Sequence, residues 1–165
     1  MDTTRLHDAY DVLLEAATTV LGPDDTSPAP PAGEWDATQI LAHIASVDAG
    51  VLATAYSVAS GAEATYDNNA SLDAATLDRV AATARDSAGL RERIRRQGDT
   101  LCALGATLTG AELDTPVPTR LSSAGVVLLD QPIPLEALIM GLADDHLPRH
   151  TMQLLALSPV SAATR

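Results

Sequence analysis

Two histidines one helical turn apart, in His146-Leu147-Pro148-Arg149-His150, are the residues of this chain best suited to chemistry. On a helix, positions i and i+4 share a face, so the two imidazoles point the same way, the geometry with which helices chelate zinc. They also occupy slots in the stripe Ile139, Leu142, His146, His150, Gln153 and Leu157, whose spacing of three and four directs it at a core. On another helix His43 lies within roughly 60° of Ile40 and roughly 40° of Val47 at ~100° per residue, and so borders that helix's inward face. Three neutral imidazoles converging in a core leave one coordination position open to water or a thiolate, as catalytic metal sites do. The competing reading is three core histidines paired with backbone carbonyls or water. His7 flanks the stripe of its helix, has no partner at ligand spacing, and reads as exposed.

The neighbours admit two readings each. Gln39, four before His43, and Gln153, three after His150, can each orient a ligand's second ring nitrogen, or be ordinary polar residues of their helices. Arg149 stands four residues after Asp145 and forms a ready surface ion pair; its functional alternative is to clamp the carboxylate of a substrate or cofactor. Pro148 removes the backbone bond to the Asp144 carbonyl and predicts a kink beside the site. Cys102, the only cysteine, lies in the apolar run Leu101-Cys102-Ala103-Leu104 and reads as a core residue.

Helices must position these groups. Leu6, Tyr10, Leu13, Leu14, Ala17, Val20 and Leu21 predict a first helix over 3–21. Gly22-Pro23 stops it, and Pro23, Pro28, Pro30 and Pro31 predict a stiff extended connection as far as Gly33. The second helix starts with Asp36 as N-cap and Gln39 three on, a capping box, with Trp35 and Ile40 placed as a hydrophobic staple; Ile40, Ile44, Val47, Val51 and Ala55 carry it to about Ser60. After a polar loop from Gly61 to Ser71, a third helical pattern spans Leu72 to Leu108, weakened at Gly89, Gly98 and Gly105, where a bend or break is expected. Between Thr115 and Gln131 the texture fits a small β-hairpin. Pro132 and Pro134 then lead into a last helix reaching about Leu157.

The 165 residues fit one domain over 1–165. Hydrophobic residues make up 46% but aromatics only 2%, with no Phe, so the core is built from Ala, Leu, Val and Ile, which favours packed helices over sheets. Net charge is −12, from 22 acids against 10 arginines. That balance argues against nucleic acid and against an anionic membrane surface. Arg91, Arg93, Arg95 and Arg96 share a helix with Glu92, Asp86 and Asp99 and read as a solvated face. The charged start lacks the apolar core of a signal peptide, and no apolar run approaches the ~18 residues of a membrane span, so a cytoplasmic protein is expected.

Two segments resemble the DinB-like superfamily, which includes mycothiol-dependent maleylpyruvate isomerases and low-molecular-weight thiol S-transferases. Pro30 through His43 is similar to that family's tryptophan-to-histidine entry into its second helix, and Asp145 through His150 to its last-helix ligand pair. The resemblance implies an all-α four-helix bundle in up-down-down-up order, zinc or nickel on His43, His146 and His150, and frequently a homodimer. The isomerase branch has Glu-x-x-x-His where this chain has His146 and His150, and no C-terminal extension is expected beyond the ligand helix. The leading functional expectation is a metal-dependent enzyme whose open metal position binds a thiol cofactor such as mycothiol and directs it at an electrophilic substrate. The alternative is a non-catalytic bundle that binds or senses a metal or small ligand. No general acid or base in the sequence decides between them.

Overall fold

In the computed structural model, which describes residues 1–21 and 29–158, the first apolar stripe forms helix α1 (Thr4–Leu21) and buries Leu6, Tyr10, Leu13, Ala16, Ala17, Val20 and Leu21. The expected stop at Gly22-Pro23 and much of the proline-rich connection fall on residues 22–28, outside the described residues. Helix α2 (Ala37–Ala59) opens on the capping box: the Asp36 carboxylate accepts from the Gln39 amide at 2.8 Å, and the Gln39 side chain accepts from the Asp36 amide at 3.2 Å. Each fills an orphan bond of the helix end. From Ile40 to Ala45 every residue of α2 is buried, the pattern of a central helix enclosed on all sides. By length and composition α2 is apolar enough to cross a membrane; here it is the core helix, packed on α3 (Ala74–Ala84) and α4 (Ser87–Thr107). Helix α1 packs on α4 and on α7 (Leu147–Ala156).

The expected all-α four-helix bundle is not what the chain builds. A three-stranded mixed sheet joins the helices, with β1 (Tyr66–Asp67) parallel to β2 (Pro116–Ser123) and β2 antiparallel to β3 (Val126–Pro134). The hairpin is longer than the 115–131 expected, and β1 lies in the segment read as a polar loop. Two residues are too few to show an alternating pattern. The Asn68 side chain prolongs the β1 edge: its Nδ2 donates to the Ser122 carbonyl at 3.0 Å and its Oδ1 accepts from the Ser122 amide at 2.8 Å. Opposite Ser122 the β2–β3 register slips, because Leu121 pairs with Leu129 and Ser122 with Val127, leaving Leu128 as the extra residue of a bulge.

The third helical pattern breaks, as expected at one of its glycines, beside Gly89 and so forms two helices. Helix α3 ends at Arg85, whose φ of 75° is left-handed, and Asp86 caps α4 by accepting from the Gly89 amide at 2.7 Å. Glycine is required there, since a Cβ on Gly89 would lie 2.1 Å from the Ala84 carbonyl oxygen. On α4, Glu92 pairs with Arg95 and Arg96, and Arg95 also with Asp99. The two guanidiniums pull the Glu92 carboxyl down to about 2. A short helix α5 (Gly110–Leu113) leads to the hairpin, and the last helical segment runs as α6 (Leu135–Gly141), a π-helical turn (Leu142–His146) and α7.

One acid sits in the middle of this core. Asp48 is fully buried on α2, accepts from the Tyr10 hydroxyl at 2.8 Å through Oδ1, and has no hydrogen-bond partner at Oδ2 among the described residues. Tyr10 reaches it by lying flat on Gly98 of α4, where a Cβ would come 2.8 Å from the ring. Burial, only partly offset by the tyrosine bond, pushes the Asp48 carboxyl from its ordinary 3.8 up to about 8. The folded state therefore holds a proton that the unfolded state gives up between pH 3.8 and 8, and stability is lost as pH rises through that window. Asp48→Asn, which keeps the acceptor for Tyr10, is expected to raise stability by about 2–4 kcal/mol at pH 8, with the gain vanishing toward pH 4. Urea unfolding at the two pH values checks this, and an equal effect at both would refute it.

Candidate functional site

The π-helical turn shapes the first part of the site. Pro148 has no amide to give, and the Leu147 amide bonds back to the Leu142 carbonyl, five residues earlier, so the backbone widens just before the proline. The kink expected at Pro148 takes this form. His146 closes the widened turn and His150 follows in regular helix on α7, one turn on. His43 faces them from the buried first half of α2. Ring centroids are 4.6 Å apart for His146 and His150, 4.8 Å for His43 and His150, and 5.2 Å for His43 and His146. One nitrogen from each of the three lies within 4.8 Å of the others.

Hydrogen bonding decides which nitrogens face inward. His43 Nδ1 lies 2.7 Å from the Ser71 carbonyl, which can only accept, so Nδ1 carries the proton and Nε2 keeps its lone pair. His150 Nδ1 is tied in the same way to Gln153 Oε1 at 2.9 Å. His146 as a residue is partly exposed, yet its Nε2 is sealed from solvent and has no partner among the described residues. An imidazole nitrogen left dry and unpaired costs about 1–3 kcal/mol, which an ion would recover. Burial also favours the neutral form of all three rings: His43 falls from its ordinary 6.5 to about 4, His146 goes well below 6.5, and His150 falls as well, the hydrogen bonds to Ser71 and Gln153 offsetting part of the effect at His43 and His150. Neutral rings with inward lone pairs are the form in which imidazole coordinates a metal.

The residues around the histidines sort differently from their sequence readings. Gln153 orients His150, whereas Gln39 is used in the capping box and orients no ligand. Trp35, explained from sequence by the helix entry alone, packs against His43 at 4.8 Å and stacks on His150 at 6.4 Å. Ser71 belongs to what reads in sequence as an anonymous polar loop, and only the fold brings its carbonyl to His43. Arg149 makes two contacts with Asp145, at 2.7 and 2.9 Å, while lining the same cavity as the histidines. His7 is exposed, with Nδ1 3.3 Å from the Asp11 carboxylate, and takes no part. Cys102 is buried on α4, where desolvation raises its thiol and the Asp99 charge raises it further.

A cavity of about 380 Å³ opens beside the three rings. Its walls are Val47 and Val51 from α2, Leu121, Leu128 and Ile133 from the hairpin, and Leu138 and Leu142 from the last helical segment. Leu128, turned outward by the bulge and 63% exposed, borders the mouth. Such a site can hold a divalent ion with at least one position left for an exogenous donor. Among the described residues its lining holds one carboxylate, Asp145, paired with Arg149, and no thiol.

No curated protein matches the chain, and no solved structure does. The model of the UreF family matches residues 30–165. This finding overturns the resemblance to the DinB-like superfamily, and with it the mycothiol-using enzyme, the S-transferase and the maleylpyruvate isomerase that the resemblance implied. The partners expected on the same ground, a low-molecular-weight thiol and an electrophilic substrate, fall with it. The physical reason lies in what carried the resemblance. Residues 30–43 and 145–150 encode a capped helix entry and an i, i+4 histidine pair, devices open to any helical fold, so they do not speak for a lineage. Since the match takes in every element from α2 to α7 and all three histidines, the chain belongs to the UreF family of urease accessory proteins.

Proposed function

We propose that this chain is a non-catalytic, cytoplasmic nickel-handling protein that holds one divalent ion on Nε2 of His43, His146 and His150 and passes it on during urease maturation. The observation that carries the reading is the convergence of three neutral imidazoles, two of them fixed through Nδ1 and the third with a dry, partnerless Nε2. The family supplies the direction, since UreF takes part in nickel insertion into urease. Imidazole suits nickel and zinc alike, and the family favours nickel as cargo. Its partners are then other urease accessory proteins.

The residues divide the work in a way that suits a carrier. Because the rings are already neutral near pH 7, loading requires no proton to leave a ligand. Ser71 and Gln153 hold two rings in the ligating tautomer, so little side-chain entropy is lost on binding. The ligand set carries no negative charge, so it holds the ion less firmly than thiolates or carboxylates would and lets it leave. Trp35 covers one side of the rings and restricts approach to the cavity side.

Protein purified without a histidine tag is expected to take up one Ni2+ or Zn2+ per chain by elemental analysis. His43→Ala and His146→Ala should each weaken binding at least about tenfold, and His7→Ala should leave it unchanged. Full occupancy in both site variants would reject the assignment. Retention should also extend below pH 6.5, because His43 does not take a proton until about pH 4. In the metal-free protein the same depressed values mean that the unfolded state binds more protons below pH 6.5, so stability falls as pH drops toward 4. A titration in which half the metal is lost at pH 6.5 or above would contradict this.

The delivery role is tested by producing urease with its other accessory proteins and either this chain or His146→Ala, then measuring urease-bound nickel. The variant is expected to lower it about tenfold or more, with its own thermal melt as the control for folding. Undiminished nickel in urease would show that the site is not on the delivery route.

A further inference from the structure

The cavity beside the histidines is short of negative charge. Three neutral imidazoles leave a divalent ion with its full charge, and the only ionised side chains lining the cavity among the described residues, Asp145 and Arg149, neutralise one another at 2.7 and 2.9 Å. An uncompensated double charge against apolar walls is costly, and an anionic donor at the open position lowers that cost. The opposite walls select the body attached to that donor. Val47, Val51, Leu121, Ile133 and Leu138 offer apolar surface; of the neutral polar side chains beside them, Tyr66, Asn68, Ser122 and Ser123, the Asn68 amide is used on the Ser122 backbone. Against these five aliphatic side chains a hydrophilic body would strand its polar atoms, whereas a hydrocarbon body would not.

Resting on the metal site proposed above, we propose that the cavity binds a small monocarboxylate with an apolar body, its carboxylate completing the coordination of the ion and its hydrocarbon lying between α2 and the hairpin. The size fits. At about 30 Å³ per water, 380 Å³ equals roughly a dozen waters, which suits acids of about six to eight carbons better than acetate. The carboxylate supplies the negative charge that the protein's own ligands lack, and its release would return the open position to a receiving site. Leu128, held at the mouth by the β-bulge, lies where an incoming hydrocarbon passes.

The test uses full-length protein loaded with Co2+, whose d–d absorption reports coordination directly, titrated with acetate, butyrate, hexanoate and octanoate, and with hexanol as a neutral body of similar size. Hexanoate is expected to change the cobalt bands at saturation, with affinity rising about 3- to 4-fold per methylene from acetate, and hexanol should leave them unchanged. Cobalt bands that appear on loading but do not respond to any acid, or an affinity that stays flat along the series, overturn the carboxylate site and leave the metal site standing. Hexanol binding as tightly as hexanoate overturns the charge argument. If no cobalt bands appear at all, the metal site and this inference fall together.

Discussion

An imidazole nitrogen taken out of water needs a partner, and the corner between α2, the π-helical turn and α7 brings three rings together with centroids within 5.2 Å of one another. Two protons are placed on named acceptors, the Ser71 carbonyl and Gln153 Oε1. The lone pairs that remain face one another, where no donor is available. That arrangement is unfavourable as a packed core and favourable as a ligand set. Much else is arranged around it: the widened turn before Pro148, the stacked Trp35, and a loop brought in so that Ser71 can meet His43.

The sheet belongs to the same arrangement, although it lies outside the bundle. The Ser71 amide and hydroxyl both donate to the Asn68 carbonyl, and the Asn68 side chain grips Ser122 at the bulge. A continuous chain of hydrogen bonds therefore runs from His43 through Ser71 and Asn68 to the strand that walls the cavity. Five residues further along α2, Asp48 forms a second buried polar pair with Tyr10, with Gln97 donating to the Ala45 carbonyl. That pair has no cation among the described residues to balance it, and it costs stability where the histidine cluster stands to regain it on binding an ion.

Local signals in the sequence carry the helix entry at Asp36, the stripes of α1 and the last helix, and the inward placement of the three histidines. Each rests on contacts between residues a few positions apart. The features that the sequence does not disclose depend on contacts between distant segments. Strand β1 is two residues long and exists only because β2 comes to it. A break near Gly89 is legible, but its seat at Arg85 depends on the Ala84 carbonyl approaching Gly89, which the sequence does not announce. Asp48 is legible in principle, since an acid four after Ile44 and three before Val51 interrupts the buried stripe. The resemblance to a thiol-using superfamily fails for a related reason: metal-binding devices are local and recur across folds, while lineage is written along the whole chain, where the UreF match covers residues 30–165.

The carrier role depends on what surrounds the ion, and X-ray absorption at the nickel edge of the nickel-loaded protein measures that most directly. The prediction is a shell of nitrogen and oxygen donors that includes three imidazoles, recognisable by the multiple scattering of their rings, with no sulfur. A shell containing sulfur, or one with a single imidazole or none, would contradict it.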